Sequence, residues 1–150
     1  MDYETTKSLT HDELSVFNYS ALTLDKLISL QKIISCNKNN MSELILEKLR
    51  KMCLKSLIDI NNSRIFIPKD IKNIDLSKAD KGEIEKIITF IASIFAIILD
   101  KTSNNHVNVV DINLYIGVKD SYKTAEYINN GLYYDITTII EEIRIEISGT

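Results

Sequence analysis

A nearly unbroken apolar run at residues 84–99 constrains the fold of this chain most strongly. From Ile87 onward only Thr89 and Ser93 interrupt it. Its apolar side chains recur at steps of three and four residues, which is helical spacing, and they cover nearly the whole circumference. Such a helix is buried on all sides or lies in a membrane. Because a bilayer span needs roughly 20 apolar residues, we expect the run to form the buried central helix of a bundle.

Length and charge limit the function classes. A chain of 150 residues corresponds to about one domain, so we expect a single helical-bundle domain over residues 1–150. Its 18 basic and 21 acidic residues argue against a general nucleic-acid binder. The two cysteines, Cys36 and Cys53, lie in or beside apolar helical stretches. We expect two buried free thiols, since neither their number nor their spacing indicates a disulfide framework or a zinc site.

The ends of the chain carry no targeting signal that we can identify. The start, Met-Asp-Tyr-Glu, is acidic and polar, unlike a signal peptide with its basic start and apolar core. The last residues contain no apolar anchor, so we expect no membrane segment in this chain. A C-terminal membrane tail in a longer form of the protein is an open alternative.

Start signals and apolar periodicity place the helices before the central run. A capping box at Thr10 and Glu13 begins a first helix, and the apolar series up to Ile34 continues it, either as one bent helix or as two. Residues 41–60 form the clearest amphipathic helix, with Glu47 and Lys51 four apart in the favourable order.

An extended connector is expected at 64–68, because Pro68 discourages a helix at the residue before it. A short helix at 69–74 follows the connector. Asp80 and Glu83 then form the better of two start signals for the central helix.

The second half of the chain is less regular. Residues 106–118 satisfy both strand and helix periodicity, and we favour a helix because no strong partner strand exists. A short helix is expected at 122–129, and Gly131 then has the freedom to take a positive φ at a turn. A last amphipathic helix covers 133–147. The sequence thus predicts an all-α bundle of six to eight helices around 84–99.

No motif indicates catalysis, a metal or a cofactor. His11 and His106 have no partner at a metal-ligand spacing, and we expect both on the surface. The four glycines are scattered, so no phosphate-binding loop is present, and no serine lies in a nucleophile elbow. We therefore expect no catalytic residues, no metal site and no cofactor, and an enzyme is the least expected class.

A resemblance to the Bcl-2 apoptosis regulators appears at residues 127–135, Tyr-Ile-Asn-Asn-Gly-Leu-Tyr-Tyr-Asp. This stretch resembles the family's second homology motif, which combines aromatics with Asn-Gly. The central helix resembles the family's buried helix, which follows an Asn-Trp-Gly-Arg motif. Gly82 matches the glycine there, while Lys81 and Glu83 replace the Trp and Arg. The resemblance covers about residues 40–147 and is greatest to divergent poxvirus-type members, which share this length and AT-rich residue usage.

The resemblance implies a Bcl-2-like fold and an apoptosis regulator. Such a protein would bind amphipathic helices of pro-death Bcl-2 relatives in a hydrophobic groove and so suppress host cell death. In the family the missing arginine pairs with an aspartate of the bound helix, and Lys81 or Lys86 would have to replace it. The expected peptide-groove residues are Ile45, Leu49, Met52, Lys81, Gly82, Ile84, Ile87, Ile91, Asn130 and Gly131.

Two other functions stay open. The first is a Bcl-2-like inhibitor of host innate immune signalling in the NF-κB pathway, which acts through an outer helical face, with a homodimer as one arrangement. The second is a bacterial immunity or toxin-neutralising bundle. In each case the expected partner is a protein. The Bcl-2-like functions imply the host cytoplasm, or the mitochondrial surface if a C-terminal anchor has been removed.

Overall fold

A computed structural model describes residues 11–36, 41–103, 126–129 and 131–148, with side chains described over 18–36, 41–99, 126–129 and 131–147. Every regular element within these ranges is a helix, which confirms the predicted all-α class. The helices are α1 (His11–Cys36), α2 (Glu43–Asn62), α3 (Lys69–Lys72), α4 (Lys81–Ser103) and α5 (Leu132–Ser148).

Residues 126–129 are also helical and belong to the short helix predicted at 122–129. The described part of the chain therefore contains five named helices, fewer than the six to eight predicted for the whole. The ambiguous stretch 106–118 lies outside the described residues.

Helix α4 is the centre of the bundle, as predicted from its apolar run. Ile87, Ile91 and Phe95 are completely buried along its length, because α1 and α2 pack against it while α5 packs against both of those helices. The predicted start signal is confirmed. The Asp80 backbone N–H donates to Glu83 Oε1 at 3.0 Å, and the Glu83 N–H donates to Asp80 Oδ1 at 2.8 Å. This reciprocal pair satisfies two backbone donors that the helix leaves without partners.

Helix α1 is continuous, so one of the two predicted alternatives is correct. Two polar side chains of α1 lie inside the bundle. Ser20 and Thr23 are fully buried, and both bind Asn129, which is itself buried. Thr23 donates its hydroxyl to Asn129 Oδ1 at 2.6 Å, and Asn129 Nδ2 donates to Ser20 Oγ at 3.0 Å. These bonds tie the segment before α5 to α1. The predicted cap at Thr10 lies outside the described residues.

Helix α2 begins after Ser42, whose side chain accepts a hydrogen bond from the Ile45 N–H at 3.3 Å. Its apolar stripe is buried, which confirms the amphipathic helix predicted at 41–60. Glu47 and Lys51 do not form the expected ion pair within the described structure. After Arg64, which has a φ of 62°, residues 65–68 have no regular secondary structure, and α3 is shorter than predicted.

Helices α2 and α5 pack antiparallel, as three contacts show. The Ser42 N–H donates to Glu146 Oε1 at 2.8 Å, Lys48 pairs with Glu142, and Lys55 Nζ lies 3.9 Å from Asp135 Oδ2. Residue numbers rise along α2 as they fall along α5. The two helices therefore present one continuous surface, and its long axis follows both.

The two cysteines differ from the prediction. Cys53 is fully buried on the inner face of α2, as expected. The prediction for Cys36 is wrong, because this residue is exposed. Cys36 is the last residue of α1, and the buried positions of that helix end at Ile34.

Candidate functional site

The apolar residues expected to line a peptide groove lie together, but in the core. Each is at most 3% exposed, and they pack where α2 meets α4. Apart from Met52, a bound helix would reach them only if α2 separated from α4. These residues are Ile45, Leu49, Met52, Ile84, Ile87 and Ile91.

The other expected groove residues are dispersed. Gly82 is exposed in the first turn of α4, and Gly131 lies at the turn before α5. Gly131 has a φ of +82°, which confirms the predicted positive φ. Asn130 lies outside the described residues. The structure therefore does not bring Gly82 and Gly131 into one pocket with the apolar set.

The lysines considered as replacements for the family's arginine already have acidic partners. Lys81 Nζ lies 3.2 Å from Glu85 Oε1, one turn further along α4, and the Lys81 side chain is only 20% exposed. Lys86 Nζ lies 3.1 Å from Asp70 Oδ2 on α3. A peptide aspartate would have to displace one of these carboxylates.

An open groove of about 340 Å³ lies between α2 and α5. Met52 and Ile139 form its apolar floor, and both are almost fully buried. The walls carry mostly charged side chains. The α2 wall consists of Lys48, Lys51 and Lys55, and the opposite wall on α5 consists of Asp135, Thr138 and Glu142.

The charges in this groove do not balance. Lys48 and Glu142 form a pair across it, and Lys55 has a longer contact with Asp135. Lys51 is exposed and makes no ion pair with any residue that the structure describes. The α2 wall therefore has one surplus positive charge, at a position that faces solvent.

Exposed apolar side chains extend this surface. Leu44 at the start of α2 and Ile145 near the end of α5 lie at the same end of the antiparallel pair. Tyr134, which is 69% exposed, lies near the other end, next to Asp135. Its ring is 5.8 Å from that of Tyr133, which in turn lies 5.5 Å from Tyr19. Partial burial raises the pKa of Tyr19, and the neighbouring Tyr134 and Tyr133 add to this effect.

A second depression, of about 270 Å³, lies on the outer face of α2 itself. It is lined by Lys51, Leu54, Lys55, Ile58 and Asp59. Leu54 and Ile58 are 48% and 50% exposed. Burial raises the pKa of the Asp59 carboxyl, while the charge of Lys55 lowers it. Sequence reasoning missed this surface, although the signal was present: Leu54 and Ile58 are apolar residues outside the buried stripe.

The described residues offer little for catalysis or metal binding. No group of three His, Cys, Asp or Glu side chains among them is arranged to hold a metal ion. Burial raises the pKa of the Cys53 thiol to about 12, so it stays protonated and is a poor nucleophile at neutral pH. No helix in this part of the chain combines the length and hydropathy that a membrane crossing needs. The two histidine side chains lie outside the described set.

No match was found among known proteins. No family model matches the chain, and neither the curated proteins nor the solved structures contain a match. The resemblance to Bcl-2 proteins therefore rests on residues 127–135, on Gly82 and on the buried central helix.

Proposed function

We propose that the protein is a Bcl-2-like regulator that binds a helix of another protein, and that this helix lies in the α2–α5 groove. The observation that carries the proposal is the open groove between α2 and α5, which has the almost fully buried Met52 and Ile139 in its floor and charged side chains along its walls. An amphipathic helix that places its apolar face in such a groove is a common mode of peptide recognition.

The groove defines the chemistry of its ligand. Apolar side chains at steps of three and four residues would cover Met52 and Ile139. A carboxylate on the α2 side would pair with Lys51, which has no ion-pair partner in the described structure. Exposed Leu44, Ile145 and Tyr134 extend the contact toward both ends. The expected ligand is thus an acidic amphipathic helix.

This arrangement favours inhibition of host innate immune signalling through an outer helical face. The apolar residues between α2 and α4 are closed into the core, and Lys81 and Lys86 are already paired. An outer groove requires neither an opened core nor a displaced ion pair. The partner would be a helix of a host signalling protein, and the host cytoplasm would be the site of action.

Binding of a pro-death helix, with suppression of host cell death, is a second candidate. Its support is the left-handed backbone of Gly131, at the glycine of the Asn-Gly pair on which the resemblance depends. This function would use the residues between α2 and α4, and it requires those two helices to separate when the ligand binds.

A peptide titration distinguishes the two. Fluorescence anisotropy is measured with helices from innate immune signalling proteins and from pro-death Bcl-2 relatives. Thr138→Trp fills the α2–α5 groove from its exposed wall, and Lys32→Trp on the exposed side of α1 is the matched control. We expect a signalling helix to lose at least about tenfold in affinity with Thr138→Trp and to be unaffected by Lys32→Trp.

Equal affinity for Thr138→Trp and the unsubstituted protein would reject the α2–α5 groove. Binding of pro-death helices alone, unchanged by Thr138→Trp, would support the second candidate instead.

A further inference from the structure

We propose that segment 64–72, which follows α2 and includes α3, is a docking surface for an acidic segment of a partner protein, with Arg64 and Phe66 as contact residues. Neither residue lines the groove between α2 and α5. This surface is therefore separate from the site of the proposed function.

The end of α2 has a backbone geometry that usually requires glycine. The Arg64 N–H donates to the Asn61 carbonyl at 3.0 Å, and the Ile65 N–H donates to the Ile60 carbonyl at 3.3 Å. These two bonds form a Schellman motif, in which the residue after the C-cap is left-handed and is usually glycine. Arg64 occupies that position with a φ of 62°. The Cβ of arginine makes this conformation unfavourable, whereas glycine adopts it readily.

The fold holds Arg64 in this conformation without using its side chain. Ile60 and Ile65 are at most 3% exposed, so the core fixes the turn from both sides. Arg64 itself is exposed, and its guanidinium forms no hydrogen bond or ion pair with any residue that the structure describes. Its charge favours the C-terminal end of α2, but a lysine would supply the same charge. Strain of this kind, unused by the fold, is found at binding and active sites.

Phe66 places an aromatic ring next to this arginine in the chain. It is 46% exposed, whereas Ile65 before it is buried, so Arg64 and Phe66 both lie on the solvent side of the segment. No other large apolar side chain of residues 64–72 is exposed. The surface therefore combines a guanidinium with a single apolar contact.

The charges of segment 64–72 are unbalanced. Lys69 and Lys72 are exposed on α3, and neither forms an ion pair with a described residue. Asp70 is the one carboxylate of the segment, and its Oδ2 lies 3.1 Å from Lys86 Nζ on α4. Arg64, Lys69 and Lys72 thus remain as three cations without an acidic partner in the described structure.

A carboxylate-rich protein segment is complementary to this surface. A guanidinium binds a carboxylate through two parallel hydrogen bonds, which a lysine cannot do. Lys69 follows Arg64 by five positions, so their Cα atoms lie at most about 18 Å apart. About five or six extended residues of a partner span that distance. An apolar side chain among its carboxylates would cover Phe66.

Two other anionic partners fit this surface less well. Stable binding to a bilayer surface uses several apolar side chains or lipid chains, and segment 64–72 exposes Phe66 alone. A nucleic-acid binder has an extended basic surface, whereas this chain has 21 acidic and 18 basic residues.

Arg64→Gly tests the strain. It should raise the melting temperature by about 2–4 °C, because glycine adopts the left-handed conformation without penalty. Arg64→Lys keeps both the Cβ and the charge, so its melting temperature should stay unchanged. Thermal unfolding followed by circular dichroism measures both. An equal or lower melting temperature for Arg64→Gly would show that residue 64 is not strained and would overturn the proposal.

Binding is measured by fluorescence anisotropy with a short labelled peptide of glutamates around one leucine. We expect a dissociation constant on the order of 0.1 mM at low salt. Arg64→Gly should weaken binding at least about fivefold, and Arg64→Lys should weaken it less. Lys32→Gln removes one exposed charge from α1 and should have no effect. Thr138→Trp, which fills the α2–α5 groove, should also leave this binding unchanged, which distinguishes the two surfaces.

Phe66→Ala tests the apolar contact. It should weaken binding of the peptide with leucine and leave that of an all-glutamate peptide unchanged. Vesicles of phosphatidylserine and phosphatidylcholine, and a single-stranded DNA oligonucleotide, are titrated in parallel. No binding of the acidic peptide, equal affinity with Arg64→Gly, or tighter Arg64-dependent binding of vesicles or DNA would each overturn the proposal.

Discussion

Two residues at the entrance to α5 fix the chain there in different ways. Asn129 is held by side chains of α1, and Gly131 supplies a backbone conformation that other residues rarely adopt. The glycine was predictable, because Asn-Gly is a turn signal with a physical reason. The role of Asn129 was not, since its partners Ser20 and Thr23 lie more than a hundred positions earlier in the chain.

The same substitution should have opposite effects at two glycines. Gly131→Ala places a Cβ at a φ of +82°, and an ideal Cβ there lies 2.8 Å from Lys55 Nζ. We expect a loss of about 1–2 kcal/mol in the free energy of unfolding, mainly from the backbone because the lysine end can move. Gly82→Ala lies in the first turn of α4, where the nearest atom is Asp80 Oδ1 at an ordinary 3.5 Å. We expect it to stabilise by roughly 0.4–1 kcal/mol.

Urea denaturation of both glycine variants measures the two changes. If Gly131→Ala were as stable as the unsubstituted chain, residue 131 would not adopt a left-handed backbone conformation. The motif resemblance would then lose its physical basis.

Asn129→Ala should destabilise the bundle by about 1–3 kcal/mol, because it removes the donor to the buried Ser20 Oγ and leaves the Thr23 hydroxyl only the Tyr19 carbonyl, at 3.0 Å, as an acceptor. Thr23→Val removes one of those hydroxyls at nearly constant shape. In a double-mutant cycle measured by urea denaturation, the second substitution should therefore cost less in the Asn129→Ala background. Strictly additive losses would show that Thr23 and Asn129 do not interact.

At the scale of elements, the starts of α2, α4 and α5 lie within about two residues of their predicted positions. Each of these helices shows helical periodicity in its apolar residues. Helix α4 also has a start signal, whose two hydrogen bonds join residues close together in the sequence. Helix α1 was ambiguous because the stretch Asn18-Tyr19-Ser20 interrupts the apolar series, and the buried partner of Ser20 lies far along the chain. Cys36 was misjudged because periodicity does not show where packing ends along a helix.

Removal of the α4 cap should show the cooperation of its two residues. Asp80→Ala removes the acceptor of the Glu83 N–H, and we expect a loss of about 1 kcal/mol. Glu83→Ala removes the acceptor of the Asp80 N–H. Because both residues form the capping box, Glu83→Ala should cost less stability in the Asp80→Ala background than in the unsubstituted chain. Thermal unfolding of the two single variants and the double variant gives the coupling. A coupling of zero would mean that the residues cap independently.

At the scale of the whole molecule, the candidate surfaces depend on how helices pair, and a single sequence does not reveal this. The apolar stripe of α2 was recognised, and its residues Ile45, Leu49 and Met52, which the resemblance assigns to a groove, lie almost fully buried where α2 packs on α4. The groove between α2 and α5 exists because these helices are antiparallel neighbours, with Lys48 opposite Glu142. Met52 was predicted to line a groove between α2 and α4, and it lies in the floor of the groove between α2 and α5.

The proposed function requires a partner helix to bind outside a closed core. The abundance of isoleucine makes methyl NMR the most direct test, because both surfaces contain such probes. Ile139 and Met52 lie in the floor of the α2–α5 groove, while Ile87 and Ile91 lie between α2 and α4. The protein is labelled at its Ile and Met methyl groups and titrated with the peptide from the helix panel that binds best.

We expect the methyl signals of Ile139 and Met52 to shift in proportion to occupancy, while those of Ile87 and Ile91 stay in place. Large shifts at Ile87 and Ile91, with Ile139 unchanged, would show that α2 and α4 separate around the ligand and would contradict this expectation.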